Sequence, residues 1–201
     1  MNTPLRLTAL VSGSGTLLQA LLDNQDDNYA VELVVSDRDC PALERARNAG
    51  VGTAVVPMLD DRAQWDEQLA ESVGTPDLIV SAGFMKILGP SFVQKFSGRL
   101  INTHPALLPS FPGAHAVRDA LDYGVKVTGS TVHYVDEGVD TGPIIAQRAV
   151  DIRADDSEDE LHERIKQVER ELLVALLRSA KIEQTSRKVI FHHDKFRTHH
   201  N

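Results

Sequence analysis

The chain has 201 residues, 42% of them hydrophobic and 25% charged, with a formal net charge of -8. That length suits one α/β domain with a sizeable core and excludes a second large one, and the acidic balance excludes a nucleic-acid surface, because phosphate backbones select net positive charge. A single cysteine, Cys40, excludes an intrachain disulfide and a cysteine metal cluster; no apolar stretch reaches the roughly 18 residues of a membrane span, so the expected location is the reducing cytosol.

Short apolar runs alternate with helical patterns along the chain, which predicts an α/β fold with a mixed, mainly parallel sheet. Leu5–Val11 is the first expected strand, and the loop Ser12-Gly13-Ser14-Gly15-Thr16 leads from it into a helix Leu17–Asp23. Strand Val31–Val35, helix Pro41–Ala49 and strand Thr53–Val56 follow. The helix Asp61–Val73 carries Trp65, Leu69 and Val73 on one face, and Pro76 separates it from the fully apolar strand Asp77–Ser81. A loop around Gly83, a short helix Pro90–Lys95 and a strand Leu100–Thr103 come next; the proline-punctuated segment Pro105–Pro112 reads as loop, and His115–Leu121 as helix. Lys126–Val135 and Ile144–Val150 read as two longer strands joined by the loop Asp136–Pro143, an antiparallel pair that makes the sheet mixed. Ser157 and Glu160 form a capping box for an amphipathic helix with Leu161, Ile165, Val168 and Leu172 on its inner face, ending near Leu177. The expected domain is 1–186, with a basic, His-rich tail at 187–201.

Four features of these loops carry chemistry, each with a plainer alternative. The loop Ser12–Thr16 joins a strand to a helix, so its amides can converge on a phosphate; it lacks a Walker lysine and is too short for a dinucleotide fingerprint, and a tight strand–helix turn is the plainer alternative. Asn102 and His104 end a strand, with Pro105 holding His104 extended, so an amide and an imidazole can face one crevice as oxyanion donors; singly, they would be a turn cap and a loop histidine. Asp140, in Gly138-Val139-Asp140-Thr141-Gly142, is either the carboxylate partner of His104 or an Asx-turn former. His133 shares a strand face with Thr131 and Val135 and is expected to support the site from behind. No metal is expected: no ligand spacing surrounds His104 or His133, and the most metal-like cluster, His192, His193, His199 and His200, lies in the tail. Charges on the last helix are expected to be solvated, Arg164 and Glu169 sharing no face, and Arg62, Lys86 and Arg99 are isolated basic residues.

The segments NTHPALLPSFPG and GSTVHYVDEGVDTGPI, with SGSGT before them and AGFMKILGP between, resemble the phosphoribosylglycinamide formyltransferase family in order and spacing from the first loop to about Leu177. The resemblance implies a single-domain, Rossmann-like fold with helices on both faces. It also implies transfer of a formyl group from the co-substrate 10-formyltetrahydrofolate to the primary amine of glycinamide ribonucleotide, a step of de novo purine biosynthesis, without a metal. Asn102, His104 and Asp140 match the family's catalytic trio, in which Asn and protonated His hold the tetrahedral oxyanion and Asp raises the His pKa. Gly13, Gly15, Thr16 and Leu17 match the phosphate loop, and Lys166, Gln167, Val168 and Glu169 the rest of the nucleotide site. Arg62, Met85, Lys86, Ile87 and Leu88 match the folate site, together with Asn102 and the pterin loop Asp136, Glu137, Gly138, Val139 and Asp140. Leu17 departs from a commoner asparagine and Lys86 from a commoner arginine.

The same resemblance implies a nucleotide-phosphate half over about 1–100 and a folate and catalytic half over about 101–186. It implies small-molecule partners rather than nucleic acid or membrane, with a homodimer left open. A formyltetrahydrofolate hydrolase and a non-catalytic nucleotide-binding module are the alternatives. The hydrolase would carry a regulatory domain ahead of the first strand and a methionyl-tRNA formyltransferase a basic C-terminal domain, so the expected acceptor is the glycinamide.

Overall fold

The apolar runs recur as strands in a computed structural model that describes residues 3–183, 185, 186 and 188–191. In chain order the elements are β1 (Leu5–Val11), α1 (Thr16–Asp23), β2 (Tyr29–Ser36), α2 (Pro41–Asn48), β3 (Gly52–Val55), α3 (Arg62–Val73), β4 (Leu78–Ser81), α4 (Pro90–Lys95) and β5 (Leu100–His104). They continue with α5 (Ala116–Tyr123), β6 (Val127–Tyr134), β7 (Ile144–Asp151), α6 (Glu158–Arg178), β8 (Ala180–Ile182) and β9 (Val189–Phe191). The boundaries differ from the expected ones by a residue or two at most ends, where local signals are weakest. The expected capping box forms: Ser157 Oγ accepts from the Glu160 amide and the Glu160 carboxylate accepts from the Ser157 amide.

Seven strands make one sheet in the order β3-β2-β1-β4-β5-β6-β7, parallel through β5 and antiparallel for β6 and β7. Period-2 alternation sends Leu7, Ala9 and Val11 of β1 to a core under α1, α2 and α6, and Leu10 to a second core with Trp65, Leu69, Phe92 and Phe96 under α3 and α4. The order reverses between β1 and β4, so the loops after those strands splay apart and open a crevice at the strands' carboxyl ends. Among the described residues no helix is long and apolar enough to cross a membrane.

The sheet is continuous across residue 100, because Ile79, Val80 and Ser81 of β4 pair directly with Leu100, Ile101 and Asn102 of β5. The two expected halves therefore share one core. The boundary after Ser186 falls inside the β8–β9 hairpin, whose Val189 and Phe191 are buried against the α1–α6 core, with Tyr134 donating its hydroxyl to the Val189 carbonyl at 2.6 Å. Three-residue strands are too short to show a period, so the sequence pattern missed them. His192, His193, His199 and His200 lie outside the described residues.

Candidate active site

The antiparallel ladder between β5 and β6 sets Asn102 opposite His133 and His104 opposite Thr131. Alternation then puts all four side chains on one face of the sheet, the α3–α4 side. The β6–β7 loop folds back over that face. It delivers Asp140, whose Oδ2 lies 3.3 Å from His104 Nδ1 and accepts from the Gly113 amide at 2.8 Å. Oδ1 approaches His133 Nε2 at 3.7 Å. Asp140 adopts a left-handed φ of 56°, a strained backbone that short polar residues tolerate best.

These contacts resolve two of the open alternatives. The Asx turn in the loop is made by Asp136, whose Oδ1 accepts from the Gly138 amide at 3.1 Å and the Thr141 hydroxyl at 2.7 Å, and this leaves Asp140 to the histidines. A Cβ at Gly142 would overlap the Tyr134 carbonyl oxygen, so only glycine lets the loop turn this closely against β6. Asn102 caps no turn; it sits inside β5 and lines the cleft described below.

His104 is buried, and its Nε2–H donates to the Phe111 carbonyl at 2.7 Å. With a carbonyl on one side and a carboxylate on the other, both ring nitrogens can act as donors. The ring therefore stands behind the cleft surface rather than in it. The loop that leads to Phe111 is pinned to β6 and β7 by two side chains whose role the sequence does not mark. Thr131 Oγ1 donates to the Ala106 carbonyl and accepts from the Leu108 amide, and Gln147 Nε2 bridges Thr131 Oγ1 and the Leu108 carbonyl at 3.0 and 2.8 Å. No motif marks Gln147, since its role depends on the β6–β7 register. His133 is closer to the chemistry than a supporting role requires: Nδ1–H donates to the Tyr134 carbonyl, which leaves Nε2 bare, buried and without a hydrogen-bond partner among the described residues. Burial pushes its pKa down, against the opposing pull of the Asp140 carboxylate.

A cleft of about 260 Å³ opens beside this group, lined by Met85, Lys86, Ile87 and Leu88 on one side and by Asp136, Gly138, Val139 and Asp140 on the other, with Asn102 and His133 at its floor. It draws on both parts of the chain. Glu137 turns aside to accept from Gln94 Nε2 at 2.8 Å, and Arg62 lies outside the cleft lining, its guanidinium bonded to the Ile87 carbonyl and stacked 4.8 Å from the Trp65 ring centroid.

On the opposite face, Gly15 caps α1 in the left-handed conformation with no side-chain cap, so the first amides of the helix have no internal partner. A Cβ at Gly15 would lie 2.6 Å from Ala42 Cβ, which is why the approach of α2 demands glycine. Gly13 has no such neighbour, and its carbonyl accepts from the Ala42 amide. Leu17 is buried in the core and can offer only its backbone. On α6, Lys166 pairs with Glu163 at 2.8 Å, Gln167 is exposed and Val168 packs beside Leu161 and Ile165.

Glu169 stands apart from the solvated charges of α6. It is half-buried, bonded to the Thr103 side chain between Asn102 and His104, and burial pushes its pKa up. A raised folded-state pKa favours the protonated native form, so Glu169's stabilising contribution is complete below the unfolded pKa and is lost as pH rises through the raised value. Glu169→Gln is therefore expected to raise the melting temperature by roughly 2–4 °C at about pH 8 and hardly at all at about pH 4. Calorimetry at the two pH values checks this; an equal shift at both would show that the carboxylate charge is not the cause.

Comparison with known proteins gives one consistent result. The family model described as formyl transferase matches residues 5–177. A phosphoribosylglycinamide formyltransferase of Mycobacterium tuberculosis is 53% identical over 180 residues, covering 87% of this chain and 84% of that protein. The enzyme of the same name from Escherichia coli is 41% identical over 169 residues, 80% of each chain. The crystal structure of glycinamide ribonucleotide transformylase 1 from Symbiobacterium toebii superposes with a TM-score of 0.83 at 40% identity, covering 94% of both chains.

Proposed function

The chain belongs to the phosphoribosylglycinamide formyltransferase family, and from that premise we propose that its cleft transfers the formyl group of 10-formyltetrahydrofolate to the amine of glycinamide ribonucleotide, as in purine biosynthesis. The observation that carries the proposal is the convergence of Asn102, His104 and Asp140 beside the cleft between Met85–Leu88 and Asp136–Asp140.

In this reading the folate lies in the cleft and the ribonucleotide on the far side of β5, its phosphate against the uncapped start of α1 and its glycinamide near Glu169. Even-numbered residues of β5 then face one substrate and Thr103 the other, so the reacting atoms meet at the strand's end. Attack of the amine on the formyl carbon creates a tetrahedral oxyanion. The Asn102 amide reaches it from the cleft floor. His104 Nε2–H exchanges a neutral carbonyl, that of Phe111, for the charged oxygen, and charge-assisted hydrogen bonds are about twice as strong as neutral ones. Asp140 stays on Nδ1 throughout and keeps the ring oriented. The attacking nitrogen must lose a proton and N10 must gain one as the C–N10 bond breaks; the His104–Asp140 pair stands beside both events.

A formyl-transfer assay with 10-formyltetrahydrofolate, with and without glycinamide ribonucleotide, tests the reading. Tetrahydrofolate is expected only when the amine is supplied. Release at the same rate in water alone would make the chain a hydrolase, and no release under either condition a binding module.

A further inference from the structure

We propose that Ser12 and Asp37, whose side chains lie outside the trio and outside the residues matched to the phosphate and folate sites, are the positioning residues that hold the folate-binding stretch Met85–Leu88 in place. The proposal rests on the folate reading of the cleft. Only Leu88 of that stretch packs against a core, since Met85 and Ile87 are 74% and 70% exposed. Ahead of Leu88 something other than packing must set the conformation, and the contacts behind Met85 and Lys86 are polar.

Ser12 follows β1 and Asp37 follows β2, and both are buried. The Ser12 hydroxyl donates to Asp37 Oδ1 at 2.6 Å, and the same oxygen accepts from the Met85 amide at 2.9 Å. Asp37 Oδ2 is held by the Arg38 guanidinium at 2.8 Å and approached by Lys86 Nζ at 3.9 Å. Two consecutive residues of the stretch thus end on one serine–aspartate pair, Met85 through its backbone and Lys86 through its charge. A hydroxyl suits this place because it donates to the carboxylate and still accepts from the amide. Alanine would leave both the Met85 N–H and Asp37 Oδ1 short of a partner in a buried place, and a loop freed there would pay its ordering entropy when the ligand binds. At its other end the stretch is tied to α3: the Gly89 amide and Ser91 hydroxyl donate to Asp66 at 3.2 Å each. Ser12 also precedes Gly13, so the serine joins the folate stretch to the start of the phosphate loop.

Trp65, the single tryptophan, reports on this stretch without turnover, its ring stacked on that of Phe84 with centroids 6.2 Å apart. Titration of Trp65 fluorescence with tetrahydrofolate is expected to give a Kd about tenfold higher for Ser12→Ala than for the wild-type chain, the loss of roughly one hydrogen bond to a charged pair. The KM for 10-formyltetrahydrofolate should rise in step while kcat at saturation holds, and Ser12→Thr, which keeps the hydroxyl, should restore both. Asp37→Asn, which keeps an acceptor for Ser12 but removes the charge facing Lys86, should fall between. Wild-type binding by Ser12→Ala would overturn the proposal. So would weakened binding that Ser12→Thr fails to restore and that follows melting temperature in both variants, since that marks a purely structural serine. A wild-type chain that does not bind tetrahydrofolate would overturn the folate reading itself, and this proposal with it.

Discussion

Asp140→Asn is expected to lower turnover by about two to four orders of magnitude while the chain stays folded, the size of loss seen when a carboxylate that orients a catalytic histidine becomes an amide. The geometry explains why so small a change matters. The carboxylate accepts from the Gly113 amide, faces His104 Nδ1 at 3.3 Å and faces His133 Nε2 at 3.7 Å. An amide has one oxygen for these positions and must turn its NH2 toward one of them. Directed at Gly113 or at a protonated His104 Nδ1, the NH2 sets donor against donor; directed at the bare His133 Nε2, it keeps the geometry, because one oxygen, Oδ2, already serves both Gly113 and His104. What every arrangement removes is the negative charge that holds the His104 ring while Nε2 moves from Phe111 to the oxyanion. Single-turnover rates with both substrates saturating, alongside a thermal melt, measure the effect; a variant within tenfold of wild type would remove Asp140 from the mechanism.

The second large effect concerns the oxyanion donors. Asn102→Ala and His104→Ala should each cost roughly 100- to 1,000-fold in kcat with little change in either KM, because each removes a bond formed only in the transition state. The double variant should lose less than the product of the two, since both act on one oxygen. The two truncations differ in their effect on the fold. Asn102 lies at the cleft, whereas His104 is buried and ties β5 to the Phe111 loop, so His104→Ala should also lower the melting temperature and Asn102→Ala should not. Wild-type kcat in either variant would exclude that residue from the hole.

Every helix and every strand of the main sheet showed itself in the pattern of apolar residues, because each is long enough to complete a period and is bounded by Gly, Pro or a cap such as Ser157. The β8–β9 hairpin did not, being two strands of three residues. Of the site, Asn102, His104 and Asp140 stood out as residue types, but a lone aspartate between glycines describes Asp136-style turn chemistry as well as it describes a histidine's partner. Residue types alone do not separate Asp140 from Asp136; the resemblance does, and the return of the β6–β7 loop over β5 gives the physical reason. Helical spacing alone does not single out Glu169, because it says nothing about which strand the helix crosses; Thr103 lies beneath it. Asp37 and Gln147 stand in no motif, and Ser12 and Thr131, though inside the quoted segments, give no sign of these contacts, since a serine that bridges two loops is locally an ordinary serine.

By itself, then, the sequence determined the order and type of the main sheet's elements and the identity of the polar residues at the strand ends. Those follow from periodicity, backbone sterics and capping, which act within a few residues along the chain. Tertiary structure alone decided that Ser12 and Asp37 stand behind Met85, and it supplied the contacts by which Asp140 rather than Asp136 faces His104. The contacts of Ser12 join residues 25 and 73 positions apart, and the pairing of β1 with β2 and with β4 brings them within hydrogen-bonding reach, as that of β5 with β6 does for the histidines.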